Sequence, residues 1–343
     1  MSRRFPTAFA PHMPAPTTVS GVMLQVLLAL VPGIVAHAWF FGPGILFQLV
    51  LATVFALGFE AAMLWARGRP IRPFMTDLSV VVTAVLFALC VPPLAPWWIA
   101  FIGMAFAVVV AKHLYGGLGN NLFNPAMVGY VVVLVSFPQA MTQWLPPREI
   151  AATVPDLAAT LQAIFLGALP PGWDLDAITG ATPLDTIKTG VDQGAFVAEI
   201  RQSPIFGDYG GLGWEWIANA YALGGLWLLY RRVIPWQVPV AVLAGVLAMS
   251  LPAWLIDAGS NPPPLQHIFS GGLVLAAFFI ATDPVSGCAS PRGRLVFGAG
   301  VALLTLVIRR WGGYPDGVAF SVLLMNMAAP LIDRYTRPRY YGE

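Results

Sequence analysis

The chain has 343 residues, of which 58% are hydrophobic and only 10% charged, with a mean hydropathy of +0.74 and a formal net charge of +2. Soluble domains carry about a quarter charged residues, so this composition excludes a water-soluble globular protein and points to lipid as the solvent. The near-neutral charge offers no bulk field for nucleic acid, and Cys90 and Cys288 are too few and too far apart for a disulfide framework, a zinc site or an iron–sulfur cluster within the chain.

Residues 1–20 are polar and Pro-rich, with Arg3 and Arg4 and no small-residue cleavage site, which is expected of a cytoplasmic tail rather than a signal peptide. A spanning helix needs about 20 mostly apolar residues, fewer if it crosses only in part. Ten runs approach that length, at 21–41, 44–66, 78–95, 97–112, 122–138, 212–230, 236–256, 266–282, 292–309 and 317–333. The expected fold is an all-α polytopic membrane protein of about ten transmembrane helices. Its first half covers 21–138, a long loop 139–211, the second half 212–333 and a second cytoplasmic tail 334–343. The runs that open near Asn121 and Gln266 are short and interrupted by Pro and paired Gly, as in helices that begin part-way through the bilayer and line a central site.

Lys and Arg orient the spans, because cytoplasmic loops carry an excess of them. With both tails inside, the inner segments collect Arg67, Arg69, Arg72, Lys112, Arg231, Arg232, Arg292, Arg294, Arg334 and Arg337. The periplasmic side keeps bare loops at 42–44 and 92–96 and the acidic loop 139–211, with Arg309 and Arg310 as dissenters. Five spans, a loop and five more spans make halves of opposite topology. Residues 78–93 match 269–284, aligning Ser79 with Ser270 and Pro93 with Pro284, and 112–119 is echoed at 309–317. An inverted repeat would put Lys112 and Arg309 on opposite faces and account for the dissent.

Within the loop, Leu157, Leu161, Ile164, Phe165 and Ala168 recur at helical spacing behind Asp156 as N-cap, so a short helix over 154–169 packed on the bundle is expected. The rest of the loop reads as solvated. At residues 176–183 the chain runs Asp-Ala-Ile-Thr-Gly-Ala-Thr-Pro. Gly180 and Ala181 leave the backbone open to close approach, Thr182 presents a hydroxyl, and Pro183 stiffens the exit on a defined turn. The bland alternative is a polar turn rich in Thr and Gly for solvation.

The segment from Asp176 to Thr182 resembles the flavinylation sequence Asp-x-x-Ser/Thr-Gly-Ala-Thr, in which a flavin transferase joins FMN through its phosphate to the last Thr hydroxyl. Five constrained positions coincide by chance on the order of once in a thousand chains of this length. Thr179 stands where Ser is commoner, which keeps the hydroxyl. The chain is also similar to the RnfD and NqrB families nearly end to end, more closely to RnfD. The blocks that carry this are VMLQVLLALVPGI from Val22, KHLYGGLGNNLFNPAMVGYVVVLVSFP from Lys112, ATDPVSG from Ala281, SPRGRLVFG from Ser290, and GGYPDGVAFSVLLMNMAAPLIDRYTRPRYYG from Gly312.

That resemblance implies a bacterial inner-membrane subunit of a complex that couples electron flow between ferredoxin and NAD to Na⁺ or H⁺ translocation. It implies covalent FMN on Thr182, with Asp176, Thr179, Gly180 and Ala181 forming the recognised segment, and it raises riboflavin as a second cofactor toward the inner side. The implied partners are integral-membrane, iron–sulfur and flavin subunits, the flavin transferase and membrane lipid. The chain is not expected to be catalytic alone: it has no strand, Gly-x-Gly-x-x-Gly turn and helix in succession, so nicotinamide chemistry falls to partners.

Ionisable and amide groups in or beside spans are the remaining candidates for an ion or second-flavin site: Glu60, Lys112, Asn120, Asn124, Asp283 and Asp316. Local pairing, caps and turns are their bland explanation. Both cysteines read as buried small apolar residues. His12, His37, His113 and His267 show no ligand spacing, and each is expected to be satisfied locally. The alternative function is a solute channel, since ten spans in inverted halves with broken helices describe a urea-transporter-like protein equally well. A channel has no use for a flavinylation segment.

Overall fold

The computed structural model describes residues 18–170, 173 and 178–337; Asp176 and His12 lie outside them. Among the described residues there is no strand, only isolated bridges between Trp144 and Gly180 and between Phe206 and Gly211.

The first half begins with α1 (Val19–Phe41), capped by Thr18 Oγ1 accepting from the Gly21 N–H at 3.1 Å and stopped at Gly42, whose φ is +83°. It continues with α2 (Gly44–Ala66), α3 (Ile71–Met75), α4 (Ser79–Ala88), α5 (Trp97–His113, π-helical from Ala105) and α6 (Pro125–Ser136). The loop folds as α7 (Pro138–Thr142), α8 (Leu157–Leu166), α9 (Pro183–Asp192) and α10 (Val197–Ile200). The second half comprises α11 (Trp214–Tyr230), α12 (Gln237–Ile256), α13 (Pro264–Ile268), α14 (Leu273–Leu275, continuing as a π-helix over Ala276–Ile280), α15 (Pro291–Trp311) and α16 (Val318–Thr336).

Helices α1, α2, α12 and α15 are long and apolar enough to cross a membrane by length and composition, and α4, α5 and α6 are shorter apolar helices. Large side chains such as Leu28, Val35, Val50, Val54, Leu223, Leu226, Val240 and Leu303 stand exposed around the bundle. Helices apolar on their outward faces as well as their packed ones belong to a membrane protein.

Two runs expected as single spans are broken. The run 78–95 is helical only to Ala88, because Pro92, Pro93 and Pro96 supply no N–H to continue it. The run 266–282 splits between α13 and α14, where Gly271 takes a φ of +69° that a side-chained residue rarely adopts.

Helices α1 and α11 cross antiparallel. Ala29 lies against Gly224, Gly33 lies under the Tyr221 ring, and the Phe41 and Trp214 rings are 4.7 Å apart. Small residues spaced four apart let the two backbones approach, a packing that works in lipid as well as in water. At one end of the bundle, the loop end, the described residues between Pro138 and Gly213 fold over the helices. At the other, the tail end, Arg67 reaches His113 and Asp333 accepts from the Ser290 N–H. Lys112 belongs to the tail end and Arg309 to the loop end, where Lys188 meets it.

The loop is less wet than its composition suggests, since Met141, Leu145, Ile164, Ile178, Leu184, Ile187 and Val197 are all buried. Helix α8 forms as expected, with Asp156 Oδ1 accepting from the Ala159 N–H at 2.8 Å. Its packed face is Ala159, Thr160, Ala163 and Ile164, whereas Leu157, Leu161 and Phe165 point outward. Small residues on the inner side let the helix lie close, and the larger ones are left for an apolar surrounding.

Candidate functional site

Thr182 is the N-cap of α9, and Pro183 is its first helical residue, so the segment expected as a turn is the start of a helix. Proline suits that place because the N–H it lacks would have no partner there. The Thr182 hydroxyl accepts from the Asp185 N–H at 3.3 Å and sits at the positive end of the α9 dipole. Just before it, the Gly180 N–H donates to Trp144 O at 2.8 Å, which holds the segment to the bundle edge. Gly180 and Ala181 are exposed, and among the described residues no atom lies within 4 Å of where a Gly180 side chain would begin.

Helix α9 is fastened at its other end. Leu184 and Ile187 are buried beneath it, and Lys188 Nζ donates to the carbonyls of Arg309, at 3.2 Å, and Gly312. Those carbonyls belong to the C-terminal end of α15, where a cation is favoured and orphan acceptors need donors. Half-buried Asp185 has its carboxyl pushed above the ordinary carboxylate value by burial, an effect that Lys188 partly offsets.

Thr182 stands at the mouth of a cavity of about 140 Å³ between the two halves. One water needs about 10–15 Å³ on this scale, so the space suits a flat ring system. Each surrounding helix gives one face: His37 from α1, Met127, Tyr130 and Leu134 from α6, Trp214, Ile217, Ala218 and Tyr221 from α11, and Val318 and Ala319 from α16. Aromatic rings gather in the lining, with Trp144 and Trp214 at 5.1 Å and His37 6.0 Å from Trp214. Cys90 lines this cavity and is only partly buried, because the helix that was expected to enclose it ends at Ala88.

Asp316 lines the same cavity beside the broken helix. Its Oδ1 accepts from Arg309 Nη2 at 3.1 Å and its Oδ2 from the Gly272 N–H at 2.8 Å, while Arg309 also donates to Ser270 O at 3.2 Å. Gly271 sits so close to this carboxylate that a side chain there would collide with it.

A second cavity of about 160 Å³ opens at the tail end and shares no lining residue with the first. Its polar lining includes Ser79, Lys112, Asn121, Asn124, Asp283 and Arg294. Lys112 Nζ bonds both carboxylate oxygens of Glu60 at 2.9 Å and Ser79 Oγ at 3.2 Å, and His113 Nε2 lies 3.1 Å from Glu60 Oε2. Asp283 accepts from Ser286 Oγ at 2.7 Å. The predicted candidates thus divide: Lys112, Asn124 and Asp283 line the tail-end cavity, Glu60 braces Lys112 from behind, and Asp316 belongs to the loop-end cavity. Asn120 is exposed and lines neither; its buried neighbour Asn121 takes the place expected of it.

The expectation of locally satisfied histidines holds for His113 but not for two others. His37 Nε2 and His267 Nδ1 are buried without a hydrogen-bond partner among the described residues, as is the Tyr221 hydroxyl.

The chain matches the model of the NQR2, RnfD, RnfE family over residues 6–342. It belongs to that family. A relative in Escherichia fergusonii, named as a subunit of an ion-translocating oxidoreductase complex, is 50% identical over 347 residues covering 99% of each chain. Relatives of the same name in Aeromonas hydrophila and Citrobacter koseri are each 49% identical, over 345 and 347 residues. The family membership read from Lys112 to Pro138 and from Gly312 onward is therefore shown, and these relatives are parts of a larger complex by name. The sequence alone did not single out His37, Tyr221, Trp144 and Trp214, which line the loop-end cavity, or Lys188, which fastens α9.

Proposed function

We propose that this chain is the membrane subunit of an ion-translocating oxidoreductase complex, that it carries FMN in phosphoester linkage on Thr182, and that it passes electrons between partner subunits. The observation that carries this reading is the placement of Thr182, a helix N-cap hydroxyl at the mouth of a ring-sized, aromatic-lined cavity. The residues fit the group. In the first turn of α9, Pro183 has no N–H and the Thr186 N–H bonds Thr182 O, so the Leu184 and Asp185 N–H groups would receive the phosphate, as helix N-termini commonly do. The exposed Gly180 and Ala181 leave room for a transferase. The isoalloxazine would supply the redox chemistry, and the chain's own part is to hold it, exclude water from it and tune it by burial and hydrogen bonds. A tether also keeps the local concentration of the carrier high, on the order of millimolar for short linkers.

In this reading the tail end, which holds Arg67, Arg231, Arg232, Arg292 and Arg334, faces the cytoplasm of a bacterial inner membrane, and the loop end faces the periplasm. The two halves are inverted repeats of five spans in the urea-transporter-like manner, with the Lys112–Ser79 contact mirrored by Arg309 on Ser270. The tail-end cavity is the place for riboflavin or for the coupling ion, Na⁺ or H⁺. Ferredoxin and NAD chemistry stays with iron–sulfur and flavin partners. A solute channel would need the two cavities to join; Asn124, which lines one, instead bonds the carbonyl of Ile280, which lines the other, at 3.2 Å.

In membranes from cells lacking this chain, the wild type is expected to restore NAD reduction by reduced ferredoxin together with an ion gradient. Thr182→Ala is expected to assemble and restore neither. Full restoration by Thr182→Ala contradicts the proposal.

A further inference from the structure

The loop-end cavity contains two buried polar atoms, His37 Nε2 and the Tyr221 hydroxyl, that have no hydrogen-bond partner among the described residues, on side chains of residues 1% and 5% exposed. Buried polar groups in folded proteins are nearly always paired, and one without a protein partner marks a bound water or ion, or a functional role. Here two occur in one cavity, on two different helices. The Tyr221 ring rests on Gly33, one helical turn from His37 on α1, so the two atoms stand at different depths along the same wall. Gly33 leaves no room for a side chain beneath that ring, which fixes where the hydroxyl lies. Met127 and Leu134 from α6 and Leu275 from α14 add apolar lining.

A slot lined by aromatic rings, apolar side chains and these two polar atoms matches a flat heteroaromatic ring that has one greasy end and one edge of alternating donors and acceptors. We propose that His37 Nε2 and the Tyr221 hydroxyl are the hydrogen-bond partners of the polar edge of the flavin ring tethered at Thr182. This rests on the reading of Thr182 given above and extends it to the ring. Reduction places negative charge on that edge of an isoalloxazine, so a donor there binds the reduced ring more tightly than the oxidised one. The pair are positioning and tuning groups, and no proton needs to leave either of them. The histidine tautomer that donates from Nε2 follows from the proposal.

The test uses the full-length chain co-expressed with a flavin transferase, as wild type, Tyr221→Phe and His37→Gln. Covalent flavin is quantified by fluorescence of the denatured band, and the midpoint potential and visible spectrum are recorded on the folded protein. Tyr221→Phe keeps the ring on Gly33 and is expected to retain full flavin content. It should weaken stabilisation of the reduced form about tenfold, a fall of about 30 mV for a two-electron couple, with displaced flavin absorption bands. His37→Gln should move both readouts as well. Normal flavin content with an unchanged potential and spectrum in Tyr221→Phe overturns the proposal, and that variant decides alone if His37→Gln does not fold. A wild-type chain without covalent flavin instead overturns the reading of Thr182, and this proposal with it.

Discussion

The backbone N–H of Asn124 donates to Oδ1 of Asn326 at 3.0 Å, joining the last helix of the first half to the last helix of the second. Asn124 Nδ2 donates to Ile280 O at 3.2 Å, and Asn326 Nδ2 donates to Ser286 O at 3.0 Å, so the end of the broken run 266–282 and the turn after it are tied to the same point. Both asparagines are buried, 4% and 1% exposed, which makes each of these bonds hard to replace with water. The contact lies between the two cavities and holds the halves in register.

Asn326→Ala leaves the Asn124 N–H and the Ser286 carbonyl unpaired, at about 1–3 kcal/mol for each buried group. The variant is expected to melt well below the wild type in detergent. An unchanged melting temperature would show that the asparagines do not join the halves.

At the tail end, the buried pair of Lys112 and Glu60 is expected to be stabilising only as a pair. Removing one charge leaves the other uncompensated, at about 3–5 kcal/mol, whereas replacing both by apolar groups of similar volume is often near neutral. Lys112→Met and Glu60→Leu should each be severely destabilised and the double variant much less so. Additive losses measured by denaturation would contradict the pairing.

Lys188→Ala removes the donor that links α9 to the end of α15. Hydrogen bonds from charged groups contribute about 1.5–3 kcal/mol. Amide exchange in Pro183–Asp192 is therefore expected to speed up at least about tenfold, at 1.4 kcal/mol per decade, with the spanning helices unaffected. Equal protection in the variant would mean that α9 is held by Leu184 and Ile187 alone.

Asp185 gives this segment a pH dependence of defined sign. Its carboxyl is raised in the folded protein, so the folded state binds the proton more tightly than the unfolded one. Stability then falls as pH rises through the interval from the ordinary carboxylate value, about 4, to the raised folded value. Exchange of the α9 amides, corrected for intrinsic rate, should accelerate over that interval, and Asp185→Asn should remove the dependence. A segment that tightens with rising pH contradicts the burial argument.

The sequence was most legible where a property is local. The bounds of α2 at Gly44 and Ala66 follow from where its apolar run starts and stops, and Thr182 stands out through the residues around it. Helix breaks were harder to place. The apolar run from Leu78 continues past Ala88, and only the prolines beyond it show that the helix has ended. Convergence across the chain was not legible at all. His37 and Tyr221 are single polar residues on apolar helices, with no spacing to connect them, and the hint that Tyr221 matters is its packing on Gly33. Lys188 reads as a solvated loop cation, yet its partners are carbonyls 121 and 124 residues away. Asn120 misled in the opposite way: it neighbours Asn121, and a shift of one residue around a turn moved it from cavity to surface.

The central claim is that Thr182 carries the cofactor, and the most direct test is the intact mass of the denatured chain, wild type beside Thr182→Ala, each co-expressed with a flavin transferase. The account predicts a wild-type mass increased by one FMN less one water, with flavin fluorescence that survives denaturation, and an unmodified Thr182→Ala chain. A wild-type chain of unmodified mass, or an adduct that persists in Thr182→Ala, would contradict it.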